Sequence, residues 1–276
     1  MDARTDNPGR TAAALTIAGS DSGGGAGIQA DIKTFSALGV YGASVLTAVT
    51  AQNTRAVLAV HELPPGLIAR QIEAVLDDIR IGAVKVGMLS SPGIMAAVAE
   101  GLAEARLPVV LDPVMVAKSG DPLLPDDAVG ALRHLVLPLA MLLTPNLPEA
   151  ARLLGRAPAA TPDEMEEQGR ALIALGPRAV LMKGGHGSGP VCTDLLVRAD
   201  GPTVRLEAPR HATRNTHGTG CTLSSAIAAL LARGQPLEDA VRGAHDYLQG
   251  AIAAADGLGI GRGRGPVHHF HRAWAA

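Results

Sequence analysis

Short aliphatic or β-branched runs alternate along this chain with longer alanine- and leucine-rich segments of helical period. That alternation marks βαβ units, whose parallel strands are buried on both faces and therefore read as nearly continuous apolar runs. The predicted strands are 14–18, 43–49, 83–86, 108–111, 141–144 and 179–182, and the predicted helices include 27–38, 65–78, 91–104, 147–154, 162–175 and 222–233. Two further runs, 192–197 and 203–208, are parted by Asp200-Gly-Pro and predict an antiparallel hairpin. Each main strand ends in turn or polar residues: Gly19-Ser-Asp, Thr50-Ala-Gln-Asn, Gly87-Met, Asp112-Pro, Pro145-Asn and Lys183-Gly-Gly. Ligands of open α/β sheets bind beyond the carboxyl ends of strands, so function is expected to collect at these tips. With no repeat and no low-complexity linker, the reading is one domain over 13–276 behind a loose polar tail, 1–12.

Composition narrows the class. Hydrophobic residues make up 47% of the 276 positions but aromatics only 2%, so the core has to be aliphatic. A net charge of −2 leaves no face with the positive surplus of a nucleic-acid binder. Two cysteines, Cys192 and Cys221, make no disulfide framework and point to a reducing compartment, the cytoplasm. The tail lacks the apolar stretch of a signal peptide, and no run approaches the ~18 apolar residues of a membrane span.

The most informative stretch is Asn215-Thr-His-Gly-Thr-Gly-Cys-Thr-Leu-Ser224. Two glycines just before a helix leave backbone N–H groups converging on one point, where an anion, most often phosphate, is held. Cys221 then sits at the mouth of that hole, with a thiol expected to titrate below the ordinary ~8.5. The plainer reading is a glycine-rich turn that only starts a helix.

The loop Gly19-Ser-Asp-Ser-Gly-Gly-Gly-Ala-Gly27 fails two phosphate motifs. It lacks Gly-Lys-Ser/Thr, and the tip of the next strand carries Thr50, Gln52 and Asn53 where a dinucleotide site needs an acid. What remains is a backbone-lined floor for a flat ligand, with Asp21 or Asp31 at hand for hydrogen bonds, or simply a loop capping its helix.

The chain's lysines are Lys33, Lys85, Lys118 and Lys183. Lys183, at a strand tip, suits a point charge on nucleotide phosphates. Lys118 lies in a Gly/Pro loop able to close over a site, while Lys33 and Lys85 read as a solvated helix position and a snorkelling strand position. Asp112 and Glu149 suit Mg²⁺, directly or through water, although Asn146 and Glu149 equally spell a capping box. The His268-His269-x-His271 cluster has no ligand spacing for a metal.

Together the segments 15–31, 47–53, 86–89, 111–115, 143–150, 182–186 and 215–221 closely resemble the hydroxymethylpyrimidine and phosphomethylpyrimidine kinases, the thiamine-biosynthetic branch of the ribokinase-like superfamily. The resemblance runs in order from about Ala13 to His271. It implies a ribokinase-like three-layer α/β/α sandwich with a mostly parallel central sheet and a small hairpin or lid, commonly a homodimer. It further implies that MgATP phosphorylates a hydroxymethyl group and then the resulting monophosphate. Position by position it assigns Gln52 to the pyrimidine ring, with Ala26, Met88 and Val114 as apolar walls and Asp31 nearby. Lys183 and Asp112 fall on the ATP side, Asn146 and Glu149 where Mg²⁺ is organised through water, and Gly218, Thr219 and Gly220 at the transferring phosphoryl group. Cys221 stands where most ribokinase-like enzymes place an aspartate base. The segment Gly261-Arg-Gly-Arg-Gly-Pro266 departs from the usual Gly-Lys-Gly-Ile-Gly-Pro, so Arg262 takes the adenine-side position on a changed motif.

Two rival readings have their own discriminators. Pyridoxal-phosphorylating relatives tend to carry a second cysteine on the lid, where this chain has Val116-Ala-Lys118-Ser-Gly. A non-catalytic binding protein on the same fold would not need Asn146-x-x-Glu149, Lys183 and Cys221 intact.

Overall fold

The computed structural model describes residues 11–116, 123–125, 127–187 and 189–274. The Lys118 loop and most of the 1–12 tail lie outside the described residues.

The predicted apolar runs pair side by side. They are β1 (Ala13–Asp21), β2 (Tyr41–Gln52), β4 (Ala83–Val86), β5 (Val109–Leu111), β6 (Leu142–Leu143) and β7 (Ala179–Met182). Three further strands are β3 (Val57–Glu62), β8 (Val191–Arg198) and β9 (Val204–Pro209). All nine form one sheet in the order β3-β2-β1-β4-β5-β6-β7-β8-β9. Neighbours from β2 to β7 run parallel, whereas β3, β8 and β9 join antiparallel at the two edges. The predicted hairpin thus extends the sheet through β7. The chain leaves β1 toward β2 and returns on its other side as β4, a reversal of strand order that opens a crevice at the strand tips.

Eight α-helices occur among the described residues, the last two following β9: α1 (Gly27–Ala37), α2 (Pro65–Asp78), α3 (Pro92–Ala103), α4 (Ala128–Ala131), α5 (Leu147–Leu154), α6 (Pro162–Ile173), α7 (Thr219–Ala232) and α8 (Leu237–Ala253). Past α4 the chain continues in π and 3₁₀ turns to Leu139. Successive strand residues face opposite layers. Val180 and Met182 of β7 enter the core shared with α2 to α6, while Ala179 and Leu181 enter the core shared with α1, α7 and α8. The result is the three-layer α/β/α sandwich.

Two elements escape the sequence reading. Strand β3 is exposed along nearly its whole length and so has no in-out alternation to show. Helix α8 buries Ala240, Ala244 and Ala251 beside Val241, His245, Tyr247 and Leu248, and small residues with a histidine give a weak apolar stripe. A third difference matters more for function: α7 begins at Thr219, not Thr222, so the glycine segment forms the first helical turn itself.

Candidate active site

The carboxyl tips of the strands open into one cleft of about 710 Å³. Of the site residues expected from the sequence, Ala26, Gln52, Met88 and Val114 line one part of it. Asp112, Asn146, Glu149 and Lys183 line another, and Gly218 to Cys221 lie between them.

Helix α7 forms the centre. Gly218 is its N-cap at φ 82°, a left-handed backbone that favours glycine, and a Cβ there would collide with the Gly25 carbonyl oxygen. The first helical bond runs from Thr222 N–H to the Gly218 carbonyl at 2.8 Å. By helix geometry the preceding N–H groups have no intrahelical acceptor, and the positive end of the helix dipole lies there. No acidic residue occupies this first turn; residues 218–221 are half-buried at the cleft and the next ten, Thr222 to Leu231, are all buried. Gly220 keeps the approach open: a Cβ on it would lie 3.2 Å from Asp112 Oδ2 and 3.4 Å from Lys183 Nζ.

Charge is concentrated against Gly220. Lys183 Nζ donates to Asp112 Oδ1 at 2.8 Å, and Thr144 Oγ1 donates to the same oxygen at 3.3 Å. Burial acts to lower the Lys183 ammonium, but Asp112 and Glu149 outweigh it and hold the group above its ordinary range. A bridge between the backbones at Asn146 and Lys183 puts the start of α5 beside this pair. There the capping box forms in full: Glu149 N–H donates to Asn146 Oδ1 at 2.9 Å and Asn146 N–H to Glu149 Oε2 at 2.8 Å. The structural and the ligand readings therefore share one geometry, since the box aims the Glu149 carboxylate into the cleft, while the Asn146 carbonyl is spent on the cap. Burial, with Asp112 close by, pushes the Glu149 carboxyl up to about 7 against the opposing pull of Lys183.

The other side of the cleft is organised by Asp21. Its carboxylate accepts the N–H groups of Gly23 at 2.8 Å, Gly25 at 3.1 Å and Ala26 at 2.8 Å, and lies 2.9 Å from His217 Nε2. Burial acts to raise this carboxyl, but the His217 bond and the Ala26 and Gly23 N–H groups hold it below its usual range. The glycine-rich loop and the segment entering α7 are thereby sewn together. His217 was not singled out in the sequence; its place directly before Gly218 was the available signal. Gln52 sits at the far rim, its backbone bonded to Ser22 in both directions at 2.8 Å, with Oε1 3.2 Å from the Thr50 hydroxyl.

Several expectations change. Asp31 does not reach the cleft, because its carboxylate is fully buried and accepts Thr16, Ser225 and Lys85. Lys85 does not snorkel: it is fully buried with Asp31 at 2.8 Å. Lys33 bonds the Gly24 carbonyl at 2.7 Å and so braces the glycine loop. Arg262 is exposed away from the cleft, whose rim is contributed by Arg264 instead. Cys192 in β8 lines the same cleft as Cys221. The Cys221 thiol is not lowered either, for burial pushes it up to about 11, with only part of that opposed by Lys85. Cys221 is half-buried in the cleft wall, and the water its thiolate would lose there outweighs the dipole. Beyond Lys183, the cleft continues between α7 and α8, where Leu223, Leu248, Gln249 and Ile252 form a largely apolar slot that no motif announces. Among the described residues no cluster of three His, Cys, Asp or Glu side chains forms a ready metal cage.

The same arrangement of residues and strands recurs in known proteins. The phosphomethylpyrimidine kinase family model matches residues 21–268. A hydroxymethylpyrimidine/phosphomethylpyrimidine kinase of Rhizobium meliloti is 60% identical over 265 residues, which cover 96% of this chain and 99% of that protein. The protein of the same name in Escherichia coli is 55% identical, covering 95% of this chain and 98% of its own length. Among solved structures, a Bacillus subtilis pyridoxal kinase in complex with ADP superposes with a TM-score of 0.87 at 36% identity, covering 96% of this chain and all of the other. A phosphomethylpyrimidine kinase of Clostridium difficile superposes at 0.77 with 46% identity, covering 88% of this chain and all of the other.

Proposed function

This chain belongs to the phosphomethylpyrimidine kinase family, and from that premise we propose that it transfers phosphoryl groups from ATP to 4-amino-5-hydroxymethyl-2-methylpyrimidine and then to its monophosphate, in thiamine biosynthesis. The observation that carries the proposal is the opening of the α7 N-terminus, kept bare by Gly220, directly against the Asp112–Lys183 pair. A dipole end and a fixed cation aimed at one point suit a group whose charge is spread over three oxygens.

In this reading the pyrimidine lies on the Ala26 floor between Met88 and Val114, with Gln52 bonding its polar edge. The Met88 thioether packs adaptably on a ring face. The nucleotide lies along Lys183, its base in the slot of Leu223, Leu248 and Ile252. The N–H groups of Gly220 and Cys221 take up charge on the moving phosphoryl group, and Lys183 offsets charge on the nucleotide phosphates. Burial keeps the Cys221 thiol protonated at pH 7, so Cys221 orients the substrate hydroxyl as a neutral hydrogen-bonding group, and the hydroxyl proton passes to an oxygen of the phosphoryl group as transfer proceeds.

Asp112 and Glu149 fit a magnesium ion: two neighbouring carboxylates, Glu149 raised chiefly by burial and further by Asp112, match a cation that takes one or two protein carboxylates and leaves the rest to phosphates and water. Bound there, Mg²⁺ would neutralise phosphate charge beyond what Lys183 alone supplies. Asn146 holds Glu149 in place for it.

The β2–β3 edge supports a homodimer. On β3, Leu58 is 73% exposed and Val60, two residues on, is exposed as well, apolar side chains on an edge strand of the kind that marks a protein contact. Both cysteines are free, in keeping with a cytoplasmic enzyme, and no described helix is long and apolar enough to cross a membrane.

Product masses test the substrate. Incubated with MgATP, the chain is expected to convert the hydroxymethylpyrimidine to mono- and then diphosphate, and to phosphorylate pyridoxal far less well. Pyridoxal phosphate as the dominant product would assign the chain to the pyridoxal branch, and ATP left intact with every substrate would remove the enzyme reading.

A further inference from the structure

One buried charge has no part in the chemistry above. Lys85, on β4, is fully buried and donates to Asp31 Oδ2 at 2.8 Å. Asp31, on α1 and equally buried, also accepts Thr16 Oγ1 of β1 at 2.6 Å and Ser225 Oγ of α7 at 2.6 Å. Four elements thus meet on one carboxylate. Stability is a poor reason for the pair, because the cost of taking two charges out of water commonly matches their attraction, and apolar replacements of similar volume are often as stable.

Two further observations point to the cleft. Ser225 lies four residues after Cys221, so both stand on one face of α7, and the bond that Ser225 makes to Asp31 fixes the rotation that aims Cys221. Lys85 contributes to the cleft floor, and its ammonium acts on both Cys221 and Asp112, the groups on either side of Gly220. Gly87 leaves the room for it, since a Cβ there would lie 2.7 Å from Nζ. The charged groups facing Cys221 are Lys85 from β4, Asp31 from α1, Asp112 just past β5 and Lys183 just past β7.

We propose that Lys85 is a positioning residue for phosphoryl transfer: through Asp31 and Ser225 it sets the rotation of the first turns of α7, and it holds a fixed positive charge beneath Cys221. The proposal rests on the phosphotransfer reading of the same cleft.

The test uses the full chain and two variants. Lys85→Met leaves Asp31 unpaired and tests folding, whereas Lys85→Met combined with Asp31→Asn removes both charges and leaves no buried ion alone. In the double variant, turnover is expected to fall roughly 10–100-fold, less than the 10²–10³ lost with a donor that touches the reacting group. KM for the pyrimidine and for ATP should stay within about threefold, a split that general damage to the fold would not produce. Iodoacetamide labelling of Cys221 at pH 9.5, read by peptide mass without substrates, should slow in the double variant, because the Lys85 cation favours the thiolate more than the Asp31 charge removed with it opposes the thiolate. A double variant with normal turnover and normal labelling would show that Lys85 merely neutralises Asp31, and failure of both variants to fold would assign the pair to stability; either overturns the proposal. If the unaltered chain does not phosphorylate the pyrimidine, the functional reading fails by itself, while the labelling comparison still decides whether Lys85 acts on Cys221.

Discussion

At the scale of single residues, the site depends on side chains whose roles are set by burial. Cys221 is the clearest case. An exposed helix N-terminus would lower its thiol, but here burial pushes it up to about 11 from an ordinary 9.0. Folding therefore favours the neutral thiol, so stability from this residue is whole below pH 9 and is lost as the pH rises through 11. Alkylation of Cys221 in the free enzyme is expected to accelerate with a midpoint near pH 11; a midpoint at 8 or below would mean that the dipole, not desolvation, rules the site. Gln52 makes a different kind of contribution. Its removal as Gln52→Ala leaves a polar ring edge unpaired, a loss of about 1–3 kcal/mol or about 5- to 150-fold in pyrimidine affinity. Calorimetry should find ATP affinity unchanged, and equal damage to both ligands would remove Gln52 from the substrate's contacts.

At the scale of elements, the first turn of α7 is the working part. Gly220→Ala would place a Cβ 3.2 Å from Asp112 Oδ2 and 3.4 Å from Lys183 Nζ, inside the space assigned to phosphate. These are tight but tolerable contacts, so the variant should fold and bind the pyrimidine while turnover falls by about 10²–10³-fold, as when a phosphate-facing donor is displaced. Steady-state kinetics with near-normal turnover would place the phosphoryl group elsewhere. The sequence made this element legible as a glycine-rich helix start but placed that start three residues late, because glycines read as loop when nothing shows that they are the helix's opening turn. The parallel strands were legible because burial on both faces leaves continuous apolar runs. Strand β3 and helix α8 were not, the first being solvent-facing and the second built on alanines. With α8 unread, the apolar slot beyond Lys183 could not be foreseen either.

At the scale of the whole molecule, the sheet brings six strand tips from across 163 residues of sequence, Asp21 to Lys183, to one cleft. Motif residues at those tips were legible one by one, but their partnerships were not. Asp31 looks available to a ligand in sequence and proves to be spent on Lys85, while Asp21 and His217 join loops 196 residues apart. At the sheet's far edge, Leu58→Lys should convert the expected dimer to monomer in sedimentation velocity; a dimer that persists would move the contact away from β3. The central claim, that phosphoryl transfer occurs between Lys183 and the start of α7, is tested most directly by the kinetics of Lys183→Met with MgATP and the hydroxymethylpyrimidine. The account predicts a large rise in KM for ATP and a collapse of turnover while calorimetric affinity for the pyrimidine is kept. Unchanged ATP kinetics in that variant would contradict it.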